Sequence, residues 1–416
     1  MLGDTVGTRE HGSNPHQSRL GAMTIVQVLP RYAPAWAYGG GVRMFWLLAC
    51  ELAQRGHRIE VVTSDSLGPD QRSESRDEEM EPNIHVRRFR NRFNAMSARL
   101  PALFYRPRSM RAGLRESMAH ADVVHMGESR GIHNLWAARA AAEAKKPLVW
   151  SAFGGLPAAS GVRGLYRRTH DVLITRQVVP RVDAFVAQTP HERAVYVEHG
   201  APPSRIHEIP LCVDLSSYER LSERGALRSK LGLRASDRLV VAVARLAPVK
   251  GLDFLVDAFA RVPASEHGPH LALVGWDHGS LRSLQLQVQR LGLGARVHFP
   301  GALYGDERLV AYRDADLFCL TPSVFEETSL AALEAAASGC PTVLIPECEI
   351  PGLAAAGGGL VVGRRLESVA AAVAELIADD SRARDMGLSA AEHVRRDFSV
   401  GSVADRHEAL FHELVR

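Results

Sequence analysis

PSVFEETSLAALEAAASGCP, from Pro322 to Pro341, is the stretch on which the fold turns. The apolar run DLFCL, Asp316–Leu320, precedes it, and its second half, LAALEAAA, consists of strong helix formers behind a serine that suits an N-cap. The reading is therefore a buried strand, a tight loop and a helix that begins about Ser329. The free amides of Thr328, Ser329 and Leu330 then point out of the helix start, where the dipole favours an anion such as a diphosphate. Glu326 stands just before that turn and Glu334 about one and a half turns into the helix. A carboxylate accepts two hydroxyls at once, so Glu334 suits a ribose and Glu326 a transferred sugar.

Upstream, LVVAVAR from Leu239 to Arg245 reads as another strand, followed by Pro248, Lys250, Gly251 and the helical run LDFLVDAFARV. Arg245 and Lys250 are two cations at a strand end beside a helix start, placed to neutralise a leaving diphosphate. LALVG, ARVHFPG, DLFCLTP, PTVLIP and GGLVV continue the alternation. The same grammar appears earlier in the chain. TIVQVLP near Met23 is followed by Gly39, Gly40 and Gly41, by a helix ending in RGH at Arg55–His57, and by IEVVTS, which makes a right-handed β-α-β unit. DVVHM, PLVWSA and DAFVAQ extend it. A charge-rich helix over Glu219–Leu231 is expected to separate two parallel-sheet lobes, with ligands bound at the carboxyl ends of both sheets. The divisions expected are 1–22 as a disordered extension, 23–213 and 214–396 as the lobes, and 397–416 as a final helix that packs on either lobe.

A chain of 416 residues is too long for one ordinary core, and 46% hydrophobic with 23% charged residues is a folded composition. The net charge of +3 gives no global reason to expect nucleic acid. Cys50, Cys212, Cys319, Cys340 and Cys348 are odd in number, without CxxC spacing, and read as buried thiols of a reducing, cytoplasmic compartment. The polar opening residues, Met1–Gly21, read as neither signal peptide nor anchor.

Two patterns compete with the phosphate reading. Asp314 and Asp316 spell D-x-D, a metal-holding pattern, yet they precede a buried strand, where an acidic residue more often closes a helix or turn. His125 and His133 lack a second ligand at useful spacing, so no metal is expected. Val86–Arg115 carries nine arginines and no acid, interleaved with aromatic and leucine residues, which suits an anionic membrane surface or a pyrophosphate-linked lipid; a basic loop broken by Pro101 and Pro107 is the alternative.

ARLAPVKGLDFLVDAF and PSVFEETSLAALEAAASGCPTV, with the Glu326 and Glu334 spacing, resemble the signature segments of retaining glycosyltransferases of family 4. The likeness extends from about Met23 to the end, through the YGG loop, RGH, DVVH and IPLCVD. It implies a GT-B fold and metal-independent retaining transfer without a cofactor. Arg245 and Lys250 would hold the phosphates of a nucleoside-diphosphate sugar, Glu334 its ribose and Glu326 its sugar. The acceptor expected is a glycan or lipid-linked molecule of cell-surface polysaccharide or glycolipid synthesis. Many relatives carry a histidine where this chain has Phe153, before Gly154. That departure keeps a non-catalytic sugar- or nucleotide-binding scaffold open, alongside a GT-B epimerase.

Overall fold

In the computed structural model the described residues are 21–416 apart from 69, 100–104, 157–160, 220–223, 266–267 and 304. The first sheet contains Thr24–Val28 (β1), Arg58–Ser64 (β2), Asp77–Glu81 (β3), Ile84–Phe89 (β4), Val123–Gly127 (β5), Leu148–Ser151 (β6), Ala184–Ala187 (β7) and Ile206–Glu208 (β8). Their spatial order is β3-β4-β2-β1-β5-β6-β7-β8, parallel except where β3 pairs antiparallel with β4. The second sheet contains Leu239–Val243 (β9), His270–Val274 (β10), Val297–Gly301 (β11), Leu317–Leu320 (β12), Thr342–Leu344 (β13) and Gly359–Val361 (β14), in the order β11-β10-β9-β12-β13-β14. This is a GT-B architecture of two doubly wound lobes. Parallel strands with helices on both faces lose both sides to the core, so their apolar runs are nearly continuous. β12, LFCL, is buried at all four positions.

Strand order reverses between β1 and β5 in the first lobe and between β9 and β12 in the second. A crevice forms at the carboxyl ends of such strands. The glycine loop after β1, Arg245 after β9 and Pro322–Glu327 after β12 all fall there.

Two expectations are corrected. The linker helix foreseen over Glu219–Leu231 is, in the described residues, two short helices, Ser216–Glu219 and Ala226–Lys230. Gly225 between them has φ of 131°, which no helix accommodates. Three of the arginines of Val86–Arg115, Arg87, Arg88 and Arg115, have acidic partners outside that stretch. Arg87 and Arg88 lie in β4, and the adjoining β3 is the acidic run DEEME. Arg88 is buried and donates to Glu78 (2.9 Å) and to the Ala33 carbonyl (2.5 Å). Arg87 donates to Glu116 (2.6 Å) and Glu60 (3.4 Å). Opposite charges on neighbouring strands stabilise the pairing, so these two cations serve the sheet edge. Part of that segment, 100–104, lies outside the described residues.

The final helix, Val400–Val415, crosses back to the first lobe. Arg55 donates to Asp405 (2.6 Å) and Glu408 (2.9 Å), and Val213 N donates to the Phe398 carbonyl (2.8 Å). His57, Glu408 and His412 bring three potential metal-ligating atoms within 4.8 Å of one another. Yet Nδ1 of His57 accepts the Met23 amide (3.1 Å), which leaves the ring proton on Nε2, facing Glu408 at 3.1 Å. A neutral imidazole in that tautomer has no lone pair left for an ion. The group acts as a hydrogen-bonded seam.

Candidate active site

The helix Leu330–Ala337 starts where expected: Ser329 is its N-cap, and its hydroxyl accepts the Ala332 amide. The earlier amides of this turn have no intrahelical acceptor, a property of every helix start. Thr328 is buried with an unpartnered hydroxyl. Across the cleft, the helix Gly40–Gln54 begins behind Gly39, whose φ is 98°. A Cβ on Gly40 would stand 3.9 Å from Leu330, so the two helix starts face each other closely.

Lys250 ends a 3-10 turn, Pro248–Lys250, and its Nζ donates to Glu326 at 2.7 Å. Both are partly buried. The turn is tied to the loop after β12: Ser323 N donates to the Val249 carbonyl (3.0 Å) and Thr321 Oγ1 to that of Gly251 (3.1 Å). Gly251 has φ of 58°, and any Cβ there would meet the Thr321 carbonyl oxygen at 2.0 Å. Only glycine permits the two loops to approach, and the approach sets the Lys250–Glu326 distance. Arg245 is exposed, and its side chain has no hydrogen bond or ion pair to a described residue.

Glu334 is buried and lines a narrow cleft with Gly40, Arg43, Asp214, Tyr218 and Leu330. Arg308 pairs with it at 2.8 Å and the Tyr312 hydroxyl donates to it at 3.0 Å. Burial raises its pKa, against the opposing pull of Arg308 and Arg43. Two of its roughly four lone-pair sites are engaged, which leaves room for hydroxyl donors.

The D-x-D pair is bound up in the scaffold. Asp314 accepts the amides of Gly225 (2.5 Å), Leu227 (2.6 Å) and Arg228 (3.2 Å), capping the short helix Ala226–Lys230. Asp316 pairs with Arg224 (2.8 Å) and Arg228 (2.6 Å) and accepts the Leu239 amide (2.8 Å). His125 donates to or accepts from Ser151 (2.8 Å) among aromatic rings, and burial depresses its pKa well below the usual range. Burial likewise brings His133 down to about 3.

Sequence reasoning missed Arg43, Arg308, Thr189, His191 and Glu327. The last three meet across the cleft, and no short-range spacing signals them. Phe153 takes φ of 50° and packs edge-on against Phe45, with ring centroids 5.5 Å apart.

Two facing Rossmann-like lobes, a capped helix start in the crevice and a cation–carboxylate pair beside it define a GT-B protein. Residues 38–217 match the model described as Glycosyltransferase Family 4, and residues 223–393 the model described as Glycosyl transferases group 1. The chain belongs to this family of glycosyltransferases. A D-inositol 3-phosphate glycosyltransferase of Nocardia farcinica is 29% identical over 399 residues, 89% of this chain and 84% of that protein. Its counterpart in Segniliparus rotundus is 33% identical over 249 residues, 58% of this chain and only 54% of that protein's length. The crystal structure of Anabaena HepE in complex with UDP and glucose aligns with a TM-score of 0.71 at 18% identity, covering 94% of this chain and all of that one.

Proposed function

We propose that the chain moves a sugar, with retention at the anomeric carbon, from a nucleoside-diphosphate sugar to a hydroxyl of a glycan or lipid-linked acceptor. The observation that carries this reading is the Lys250–Glu326 contact at 2.7 Å beside the Ser329-capped helix start, with Arg245 left open to an anion. The UDP and glucose held by the Anabaena structure support a nucleoside-diphosphate sugar as donor. In the step proposed, the bond from the anomeric carbon to the phosphate oxygen breaks, and the acceptor oxygen bonds to the same face. The acceptor proton passes to the departing phosphate, which explains how Phe153 is tolerated. Arg245, Lys250 and the helix amides stabilise the charge that develops on the diphosphate, so no metal is required. Glu326 orients the sugar and Glu334 the ribose. The N. farcinica relative makes a phosphorylated polyol a second acceptor class.

Among the described residues no helix is long and apolar enough to cross a membrane. Peripheral contact with anionic lipid fits the stretch 161–176 better than β4, because Leu165, Val172 and Leu173 are exposed beside exposed Arg168 and Arg176. The function is tested by a thermal-shift screen of nucleoside diphosphates and their sugars, followed by transfer assays with EDTA present. Turnover that EDTA leaves intact is expected. Ligand binding without any turnover would leave the scaffold reading, and turnover that required added manganese would overturn metal independence.

A further inference from the structure

Glu326 and Glu327 are neighbours in sequence but face different lobes. Glu326 bonds Lys250 within the second lobe. Glu327 is buried, and both partners of its carboxylate belong to the first lobe: Thr189 donates its hydroxyl, and His191 Nδ1 donates at 2.7 Å. His191 also stacks on Phe325, with ring centroids 3.6 Å apart and planes 23° from parallel. Gly154 presses from the same side, since a Cβ there would meet Glu327 Cγ at 2.8 Å.

The first-lobe half of this contact is rigid. Thr189 is the N-cap of the helix Pro190–Glu198, accepting the Glu192 amide at 3.1 Å while its proton goes to Glu327. Glu192 in turn accepts the amides of Gly154 (2.6 Å) and Gln188 (2.8 Å). One hydrogen-bonded chain thus runs from the Phe153–Gly154 loop through a helix cap to the loop that carries Glu326. The bonds of Glu327 cross the cleft from one lobe to the other, so separating the lobes at this point would break them.

We infer that Glu327 is an inter-lobe catch, a positioning residue that holds the cleft closed on its donor through Thr189 and His191. The inference rests on the transferase reading for its kinetic consequences but not for its structural ones. A closed state made less populated weakens apparent donor affinity by the lost fraction while leaving intrinsic chemistry in place. Glu327→Ala is therefore expected to raise donor KM about tenfold with kcat within about threefold, since about 1.4 kcal/mol of closure is a factor of ten. Glu327→Gln retains an acceptor for Thr189 and should recover most of the loss. His191→Ala combined with Glu327→Ala should cost no more than Glu327→Ala alone, the signature of coupled groups. Small-angle scattering of the ligand-free variants should show a larger radius of gyration than wild type, and this arm needs no activity. A fall in kcat at unchanged KM would make Glu327 a sugar contact instead. Additive losses, or scattering identical to wild type, would also overturn the catch. If the wild-type chain binds no nucleoside diphosphate, the transferase reading fails while scattering still decides the catch.

Discussion

Replacing Lys250 by methionine keeps the length of the side chain and removes its charge. At 2.7 Å from Glu326 the gross attraction is about 6 kcal/mol at an effective dielectric near 20. The two side chains retain 17% and 24% of their exposure, so solvent screening and the ordering of both chains offset most of that. A net loss of about 1 kcal/mol in stability follows, worth a few degrees in melting temperature. The catalytic loss should be much larger, because a leaving diphosphate gains charge in the transition state while the ground state already has solvent around it. Removing one such contact costs about 2–4 kcal/mol, or roughly 30- to 1,000-fold in kcat/KM. Steady-state kinetics with the best donor of the thermal-shift screen, set beside a thermal melt, separates the two effects. Activity that falls only in proportion to the folded fraction would refute the phosphate role of Lys250, and unchanged kinetics would refute it outright.

Gly251→Ala forces a Cβ against the Thr321 carbonyl and a non-glycine residue into positive φ, so stability should drop by more than about 2 kcal/mol; an unchanged melting temperature would contradict the close approach. Burial pushes Glu192 up to about 7 from an ordinary 4.5, against the amides of Gly154 and Gln188 that favour its ionised form. A raised folded pKa gives stability that is full below about 4.5 and fades as pH rises through about 7. Glu192→Gln should flatten that decline, by about 3 kcal/mol at most, and parallel stability–pH curves for the two proteins would refute the shift. Leu165→Glu with Leu173→Glu should abolish co-sedimentation with anionic vesicles at low salt; equal binding by variant and wild type, or none by either, would remove the membrane contact from 161–176.

The second lobe was legible strand by strand, because each of its six strands is an apolar run between turn residues. The first lobe was less so. β3 is an edge strand with acidic residues at four of its five positions and none of them fully buried, and nothing in DEEME resembles a buried strand. Missing it left the arginines of β4 without partners on paper, although Glu60, Glu78 and Glu116 supply them in space. Linear composition counts charge along the chain, whereas sheet pairing balances it across strands. At the cleft, Glu326, Glu334, Lys250 and Ser329 could be singled out from sequence because they stand close behind β9 and β12 and at one helix start. Glu327 passed unnoticed, since its partners lie 136 and 138 residues away. The role of Asp314 as a cap was half visible: an acid that closes local structure was expected, but the helix it caps lies 86 to 89 residues upstream.

Phe153 shows how a departure from a family pattern is absorbed. A phenylalanine at φ of 50° costs about 1–2 kcal/mol of backbone strain, which persists only where surroundings fix the conformation. Those surroundings are present. The next amide, on Gly154, is held by Glu192 at 2.6 Å, and the ring lies against Phe45 and against Gly41, whose Cβ would stand 3.5 Å from it. The aromatic ring therefore stiffens the floor under the glycine loop while offering no proton donor or acceptor. Chemistry that relied on a side-chain base at this position would fail here, and chemistry in which the departing phosphate takes the proton would not. The polar work at this edge of the cleft passes instead to Thr189 and His191, whose partner Glu327 belongs to the loop that carries Glu326. The loop Thr321–Ser329 between β12 and its capped helix thus carries both the inter-lobe contact of Glu327 and the contact of Glu326 with Lys250.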